Sequence, residues 1–284
     1  MAKLIILKGL PASGKSTLAE KIVRESGNTV RVNRDLLRTM LHFGKWSGRN
    51  EGKTIDAEKS LILTFLRAGT NVVVDDTNLG LSGLRWVDLA NSEGFSTEII
   101  RVDTPIEECI ARDEKRLTKV GKNVIMKFAM LEHIWEPKSR IVICDIDGTL
   151  ADITHRLKYV KDCEKKEWKR FFAECGEDPV REDVYNILKG FQNDGHPVVL
   201  VSGRPEEYRW TTQLWLDKNG IEYDALLMRG IGDKRDDDVV KQEIYDKYLK
   251  HYPIECVIDD RPRVIRMWRK NNLVVVDVGS GVEF

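Results

Sequence analysis

Nine short runs of β-branched and aliphatic residues punctuate this chain, and stretches of helical periodicity separate them almost throughout. The first set is LIIL (4–7), TVRV (29–32), NVVVD (71–75) and TEIIRV (97–102). The second is RIVICD (140–145), PVVLVS (197–202), DALLM (224–228), ECVID (255–259) and LVVVDV (273–278). Strands alternating with helices predict an α/β fold with mainly parallel sheets. At 284 residues the chain suits two cores better than one. The sets meet at EPKSR (136–140), where a proline and charged residues follow the helical pattern ending near Trp135, so two domains are expected, 1–137 and 138–284. So short a linker implies neighbouring domains.

Composition excludes more than it selects. No apolar run approaches the ~20 residues of a membrane helix, and MAKLIILKGLPASG leads into a glycine-rich turn, so a first strand is expected there and not a signal peptide. Cys109, Cys144, Cys163, Cys175 and Cys256 form no CxxC pair, as expected of reduced thiols in a cytoplasmic protein. With 46 basic and 46 acidic residues there is no global pull toward nucleic acid. Residues 1–138 hold 22 basic and 18 acidic side chains, however. Two basic segments stand out: Arg31, Arg34, Arg38, Lys45, Arg49 and Lys53, then Arg112, Lys115, Arg116, Lys119 and Lys122. Either a solvated face or an anionic track explains such runs.

Gly9-Leu-Pro-Ala-Ser-Gly14-Lys15-Ser16 fits G-x-x-x-x-G-K-[ST] between an apolar strand and the helical stretch STLAEKIVRE. Glycines let such a loop aim backbone N–H groups at phosphate oxygens at a helix N-terminus. Gly9, Ser13, Gly14, Lys15, Ser16 and Thr17 are the candidate nucleotide site: Lys15 should reach the β- and γ-phosphates of ATP, and Ser16 should ligand Mg²⁺. The phosphate acceptor must be read elsewhere. NRDLLR (33–38) follows the second strand, where sheet ends face a ligand crevice. Asp35 could take a hydroxyl proton there, or simply be a favourable charge at a helix N-terminus. Arg34 and Arg38 beside it could grip an anionic substrate. DDTN (75–78) brings Asp76, Thr77 and Asn78 to the same crevice, and Arg112 and Arg116 stand one helical turn apart as lid arginines.

In ICDIDGT, alternation points Asp145 and Asp147 to one side at a strand end. Asp145 is ionised at neutral pH and can attack phosphorus, with Mg²⁺ as the counter-charge two approaching anions require. Asp147 can protonate the departing alkoxide and later deprotonate water, and it counts with Asp145, Asp259 and Asp260 among the candidate metal ligands. Ser202 and Arg204 in VVLVSGR, Lys241 in DDDVVK, and Asp259 and Asp260 in CVIDD supply phosphoryl contacts, a balancing cation and further metal ligands, each in order on a later element.

DIDGTL, SGR, K and IDD together resemble the haloacid-dehalogenase-like (HAD-like) phosphotransferases, and the P-loop with NRD, DTN and KR resembles P-loop polynucleotide kinases. Kinase first and phosphatase second, the chain resembles the bacteriophage-type polynucleotide 5′-kinase/3′-phosphatase family over nearly its whole length. The resemblance implies a P-loop NTPase-like parallel sheet in 1–137 and a HAD-like Rossmannoid sheet in 138–284. It makes Asp35 the kinase base, Arg38 the contact to a substrate 3′-phosphate and Arg116 the lid residue on ATP. It makes Asp145 the nucleophile, Asp147 the acid/base, and Arg156, Gly203, Arg204 and Asp237 substrate-site residues, with Lys241, Asp259 and Asp260 completing the site. It implies ATP and Mg²⁺, DNA or RNA ends as substrates, a ligase as functional partner, a homotetramer, and a cytoplasmic setting (the host cell's, if phage-encoded). A broken strand bearing a 3′-phosphate or 2′,3′-cyclic phosphate and a 5′-hydroxyl needs both activities before ligation, which accounts for their fusion. The alternative is a bifunctional kinase/phosphatase acting on nucleosides or sugars. Two places depart from the family pattern. CEKKEWKRFFAEC (163–175) has no match, and the residue before Asp237 is acidic where a basic one is expected.

Overall fold

A computed structural model describes residues 2–45, 47–161 and 164–281. The chain forms two compact units, Met1–Glu132 and His133–Phe284, so residues 133–137 go with the second unit and not the first.

The first unit runs β1 (Lys3–Lys8), α1 (Lys15–Ser26), β2 (Thr29–Val32), α2 (Arg34–His42), α3 (Gly48–Arg67), β3 (Asn71–Val74), α4 (Leu81–Ser92), β4 (Ser96–Arg101), α5 (Ile106–Glu114) and α6 (Lys122–Leu131). Its sheet is parallel in the order β2-β3-β1-β4. Alternation along β1 and β3 builds a core on each face: Leu4, Ile6, Val72 and Val74 pack with Ile62, Leu66 and Trp86, while Ile5, Leu7 and Val73 pack with Ala19. Burial on both faces explains why these strands read as unbroken apolar runs. Two helix starts are fixed locally. The Asn33 side chain accepts from Leu36 N at 2.9 Å, and Ser47 accepts from Asn50 N at 3.1 Å. The Asn33 cap begins α2 directly after β2 and thereby sets Asp35 in the helix's first turn.

The second unit contains β5 (Ile141–Cys144), α7 (Trp168–Ala173), α8 (Glu182–Asn193), β6 (Val198–Pro205), α9 (Arg209–Lys218), β7 (Ala225–Arg229), α10 (Asp237–Ile244), β8 (Ile254–Asp259), α11 (Pro262–Lys270) and β9 (Val275–Asp277). Its parallel sheet has the order β7-β6-β5-β8-β9. β5 is central and entirely buried. The chain leaving it, together with the ends of β6 and β8, therefore delivers side chains to one edge of the sheet, where ligands bind in such folds. Cys109, Cys144, Cys175 and Cys256 are unpaired and buried; Cys163 lies outside the described residues. No helix among the described residues is long and apolar enough to cross a membrane.

Candidate active sites

In the first unit the turn after β1 wraps a cavity of about 180 Å³ lined by the loop from Pro11 to Ser16 with Arg112 and Arg116. Gly14 sits at φ 99°, which a side chain would resist. Lys15 is buried, its ammonium donating to Gly9 O at 3.0 Å, Leu10 O at 2.6 Å and Ser13 Oγ at 3.3 Å. Burial draws its pKa down to about 8. Ser16 lines the cavity, while Thr17 is exposed in the first turn of α1. Arg112 donates to Ser13 O at 3.3 Å, and Arg116 lies 3.5 Å from Asp113. Asp113 shapes this rim by accepting from Val120 N at 3.0 Å and Gly121 N at 2.8 Å, a role no sequence pattern signalled.

The neighbouring crevice is built differently from the expectation. Asp35 is 83% exposed and paired with Arg38 at 2.5 Å, so a base and a cation do share one face of α2. Arg38 also grips Glu51 of α3 through two bonds, at 2.9 and 3.0 Å. Arg34, expected to meet substrate, instead turns inward to Glu58 at 2.7 Å and Asp76 at 3.2 Å. Asp76 also accepts from Arg34 N at 2.9 Å. Asn78 is likewise turned away from the crevice. It is buried, and its amide donates to Leu7 O at 2.9 Å, bracing the end of β1. The Thr77 carbonyl accepts from Gly9 N at 3.2 Å and ties β3's exit to the phosphate loop. The physical reason is shared: the sheet edge is crowded with backbone and carboxylate groups that need partners, and these side chains supply them. Glu58 is the surprise. Burial and the adjacent Asp76 carboxyl push its pKa up to about 9, because one guanidinium cannot balance two buried carboxylates. A proton on Glu58 suits the geometry, since Glu58 Oε1 is buried and has no hydrogen-bond partner of its own.

In the second unit Asp145 and Asp147 leave β5 and enter a cavity of about 860 Å³. They serve separate clusters. Lys241 Nζ lies 2.8 Å from Asp145, 3.0 Å from Asp259 and 3.6 Å from Asp237. Burial opposes its charge, but these carboxylates hold Lys241 well above the ordinary lysine value. Asp145, Asp259 and Asp260 each offer an oxygen within 4.8 Å of the others. Burial raises Asp145's pKa, Lys241 pulls it down, and the surrounding acids push it up again. Burial and Asp259 push Asp260 up to about 6. One ammonium does not neutralise this trio, so a hard divalent cation such as Mg²⁺ fits the donor set.

Asp147 is not in that trio. Its carboxylate meets Arg204 at 2.6 Å and Arg156 at 2.5 Å, and these guanidiniums outweigh burial and hold it well below the usual carboxylate range. Asp147, expected among the metal ligands, has a carboxylate that two buried arginines already hold. Both arginines share a second acid, Asp178, at 2.6 and 2.7 Å. His155 also reaches Asp178 at 2.9 Å. Asp178 follows no strand and sits in no motif, though two buried arginines against one aspartate already demanded a second acid. Ser202 is buried and accepts from Arg204 N at 3.2 Å. Two glycines permit close approach. A Cβ on Gly148 would lie 2.2 Å from Asp260, and one on Gly203 2.2 Å from Asp237. Asp237 also meets Arg229 at 3.2 Å and Arg261 at 3.6 Å. Asp236, the unexpected acid, is balanced by Arg263 of α11 at 2.9 Å. Within the unmatched segment, Trp168–Ala173 form α7, whose Phe171 ring centroid lies 4.2 Å from the Arg156 guanidinium carbon.

Comparison with known proteins gives two family matches. Residues 139–282 match the polynucleotide kinase PNKP phosphatase domain, and residues 4–133 match an AAA domain. A protein of Autographa californica nuclear polyhedrosis virus, named for bifunctional polynucleotide kinase/RNA ligase, is 29% identical over 94% of this chain and 41% of its own length. A bifunctional polynucleotide phosphatase/kinase of Schizosaccharomyces pombe is 28% identical over 43% of this chain and 28% of its own length. The chain thus spans less than half the length of these relatives. A chain in the structure of a Pnkp1/Rnl/Hen1 complex is 30% identical, covering 99% of this chain and 98% of that one, with a TM-score of 0.45.

Proposed function

Since this chain belongs to the polynucleotide kinase PNKP phosphatase-domain family, we propose that it heals broken nucleic-acid ends, phosphorylating 5′-hydroxyls with ATP and hydrolysing 3′-phosphates. One observation carries the reading. Asp145, with Lys241 at 2.8 Å and two further acids in metal-ligand reach, opens into a large cavity, in a chain whose other unit builds a phosphate loop.

In the phosphatase unit an Asp145 oxygen attacks phosphorus and the P–O3′ bond breaks, leaving an aspartyl-phosphate. Asp147 gives the departing alkoxide its proton, then takes one from the water that attacks the aspartyl-phosphate and frees inorganic phosphate. The Asp147 carboxylate begins ionised between Arg156 and Arg204. An incoming phosphomonoester competes for both guanidiniums; as they shift toward the phosphoryl oxygens, Asp147 takes up the proton of the phosphate monoanion, and this is the proton it hands to the alkoxide. Ser202 and Gly203 would contact the same oxygens, and Asp237 holds Lys241 and Arg229 in place. Asp145, Asp259 and Asp260 would hold Mg²⁺, which when bound screens the nucleophile from the phosphate.

In the kinase unit the loop N–H groups, Lys15 and Thr17 cradle the triphosphate, with Ser16 placed for its Mg²⁺. Asp35 takes the 5′-hydroxyl proton as that oxygen attacks the γ-phosphorus and the bond to the β-phosphate oxygen breaks. Arg38 fixes Asp35 and meets the acceptor's phosphate, and Arg116 closes on the triphosphate. Polynucleotide ends and a sealing ligase are the partners this chemistry requires, and the homotetramer belongs to the same reading.

The test is incubation with γ-labelled ATP and matched DNA and RNA oligonucleotides bearing 5′-hydroxyl and 3′-phosphate, with both termini read. Label at the 5′ end and inorganic phosphate from the 3′ end are expected. Efficient competition by nucleosides or sugars would instead favour a small-molecule acceptor.

A further inference from the structure

The segment between Asp147 and Ser202 supplies one wall of the phosphatase cavity, and the chemistry above leaves most of that wall unused. Trp168 stacks on Phe172, with centroids 5.9 Å apart and planes at 21°. Phe172 continues to Tyr208 at 5.7 Å. All three line the cavity that contains Asp145 and Asp147. Phe171 is an ordinary core residue at 2% exposure, but Trp168 is 41% exposed, which interior packing does not explain. Lys166, its ammonium 5.4 Å from the Trp168 ring, lines the same cavity with the exposed Lys169 and Lys234. The cavity's volume, about 860 Å³, far exceeds a phosphoryl group and falls in the range of roughly 300–1,000 Å³ that holds a whole ligand.

We propose that Trp168, Phe172 and Tyr208 form a stacking subsite for the unpaired base beside a 3′-phosphate, so that the cavity takes single-stranded polynucleotide 3′ ends. This rests on the phosphatase reading of the same cavity. An aromatic face accepts any base, and lysines beside it meet backbone phosphates without reading sequence. A base held in a duplex cannot present its face to this wall, so a frayed or single-stranded end binds better than a blunt one.

The experiment is a cycle between the protein and the substrate. Wild type, Trp168→Ala and Trp168→Phe are assayed on a single-stranded oligonucleotide 3′-phosphate, on the same strand with its last base removed, and on p-nitrophenyl phosphate. Trp168→Ala is expected to raise KM for the intact strand at least tenfold more than for p-nitrophenyl phosphate, with Trp168→Phe recovering most of the loss. Removing the base should cost wild type a similar factor and Trp168→Ala almost nothing, because both changes delete one contact. Losses that multiply independently, or that fall equally on p-nitrophenyl phosphate, overturn the proposal. Were wild type inactive on every 3′-phosphate strand, the phosphatase reading would fall and take this inference with it.

Discussion

Arg38 and Glu51 are joined by two parallel bonds, Nε to Oε2 at 2.9 Å and Nη2 to Oε1 at 3.0 Å. This clamp between α2 and α3 leaves Nη1 of Arg38 on Asp35. The geometry of the proposed base is thus set from a helix that no motif marks. Glu51→Ala should lower 5′-phosphorylation by about 10- to 100-fold, the usual effect of misplacing a positioned group. Glu51→Gln, which keeps one bond, should fall between. Phosphatase turnover on the same preparation is the internal control, and an undiminished kinase would show the clamp to be dispensable.

Separate sites predict separable losses. Asp145→Asn should abolish 3′-phosphate release and spare 5′ labelling; Asp35→Asn should do the reverse, and Lys15→Ala should affect labelling alone. Assaying both ends of one oligonucleotide settles it, and loss of both activities from one such change in a folded protein would refute the two-site reading.

Asp178 balances two buried guanidiniums, at 2.6 Å from Arg156 and 2.7 Å from Arg204. Asp178→Asn leaves those charges with Asp147 alone. Removing one partner of a buried ion pair typically costs about 3–5 kcal/mol, so a large drop in the urea midpoint of the phosphatase unit is expected. A midpoint matching wild type would mean that Asp147 suffices.

Glu58 makes stability depend on pH with a definite sign. Folded, it keeps its proton to about pH 9; unfolded, it releases it near 4.5. Between those values the folded chain binds more protons, so stability falls as pH rises, by at most about 1.4 kcal/mol per unit. Glu58→Gln is neutral throughout and should flatten that dependence. Urea titrations of both proteins from pH 6 to 8 should diverge in the variant's favour; parallel curves would mean that Glu58 is already ionised when folded.

Chelation should stop 3′-phosphate release, and Mg²⁺ should restore it. The cation should also raise the melting temperature by relieving the crowding that pushes Asp260 up to about 6. At pH 7, above that value, Asp260 is mostly ionised and adds to the uncompensated charge. Asp260→Asn should therefore melt higher than wild type without metal and respond less to Mg²⁺, as thermal scans with and without chelator would report.

The candidate site residues stood out in the sequence because phosphate chemistry fixes residue types at short spacing. A phosphate loop needs glycine, lysine and serine within eight positions, and Asp145 and Asp147, separated by one residue just past the end of β5, reach the same cavity although no strand alternation holds them there. The strands were legible because parallel sheets bury both faces and leave unbroken apolar runs. Arg34 and Asn78 misled for the opposite reason. Their positions past strand ends suit a crevice, yet inward groups needing partners claimed them.

The sequence by itself determined the order of elements, the phosphate loop and the paired aspartates, since each is a local pattern whose meaning needs only neighbouring residues. Tertiary structure alone decided who balances whom: Glu51 on Arg38, Glu58 against Asp76, Asp178 beneath two arginines, and α7 turned into an aromatic wall. Buried charge must be compensated in space, and the compensating residue can come from any element folding brings near, so linear spacing carries no record of it.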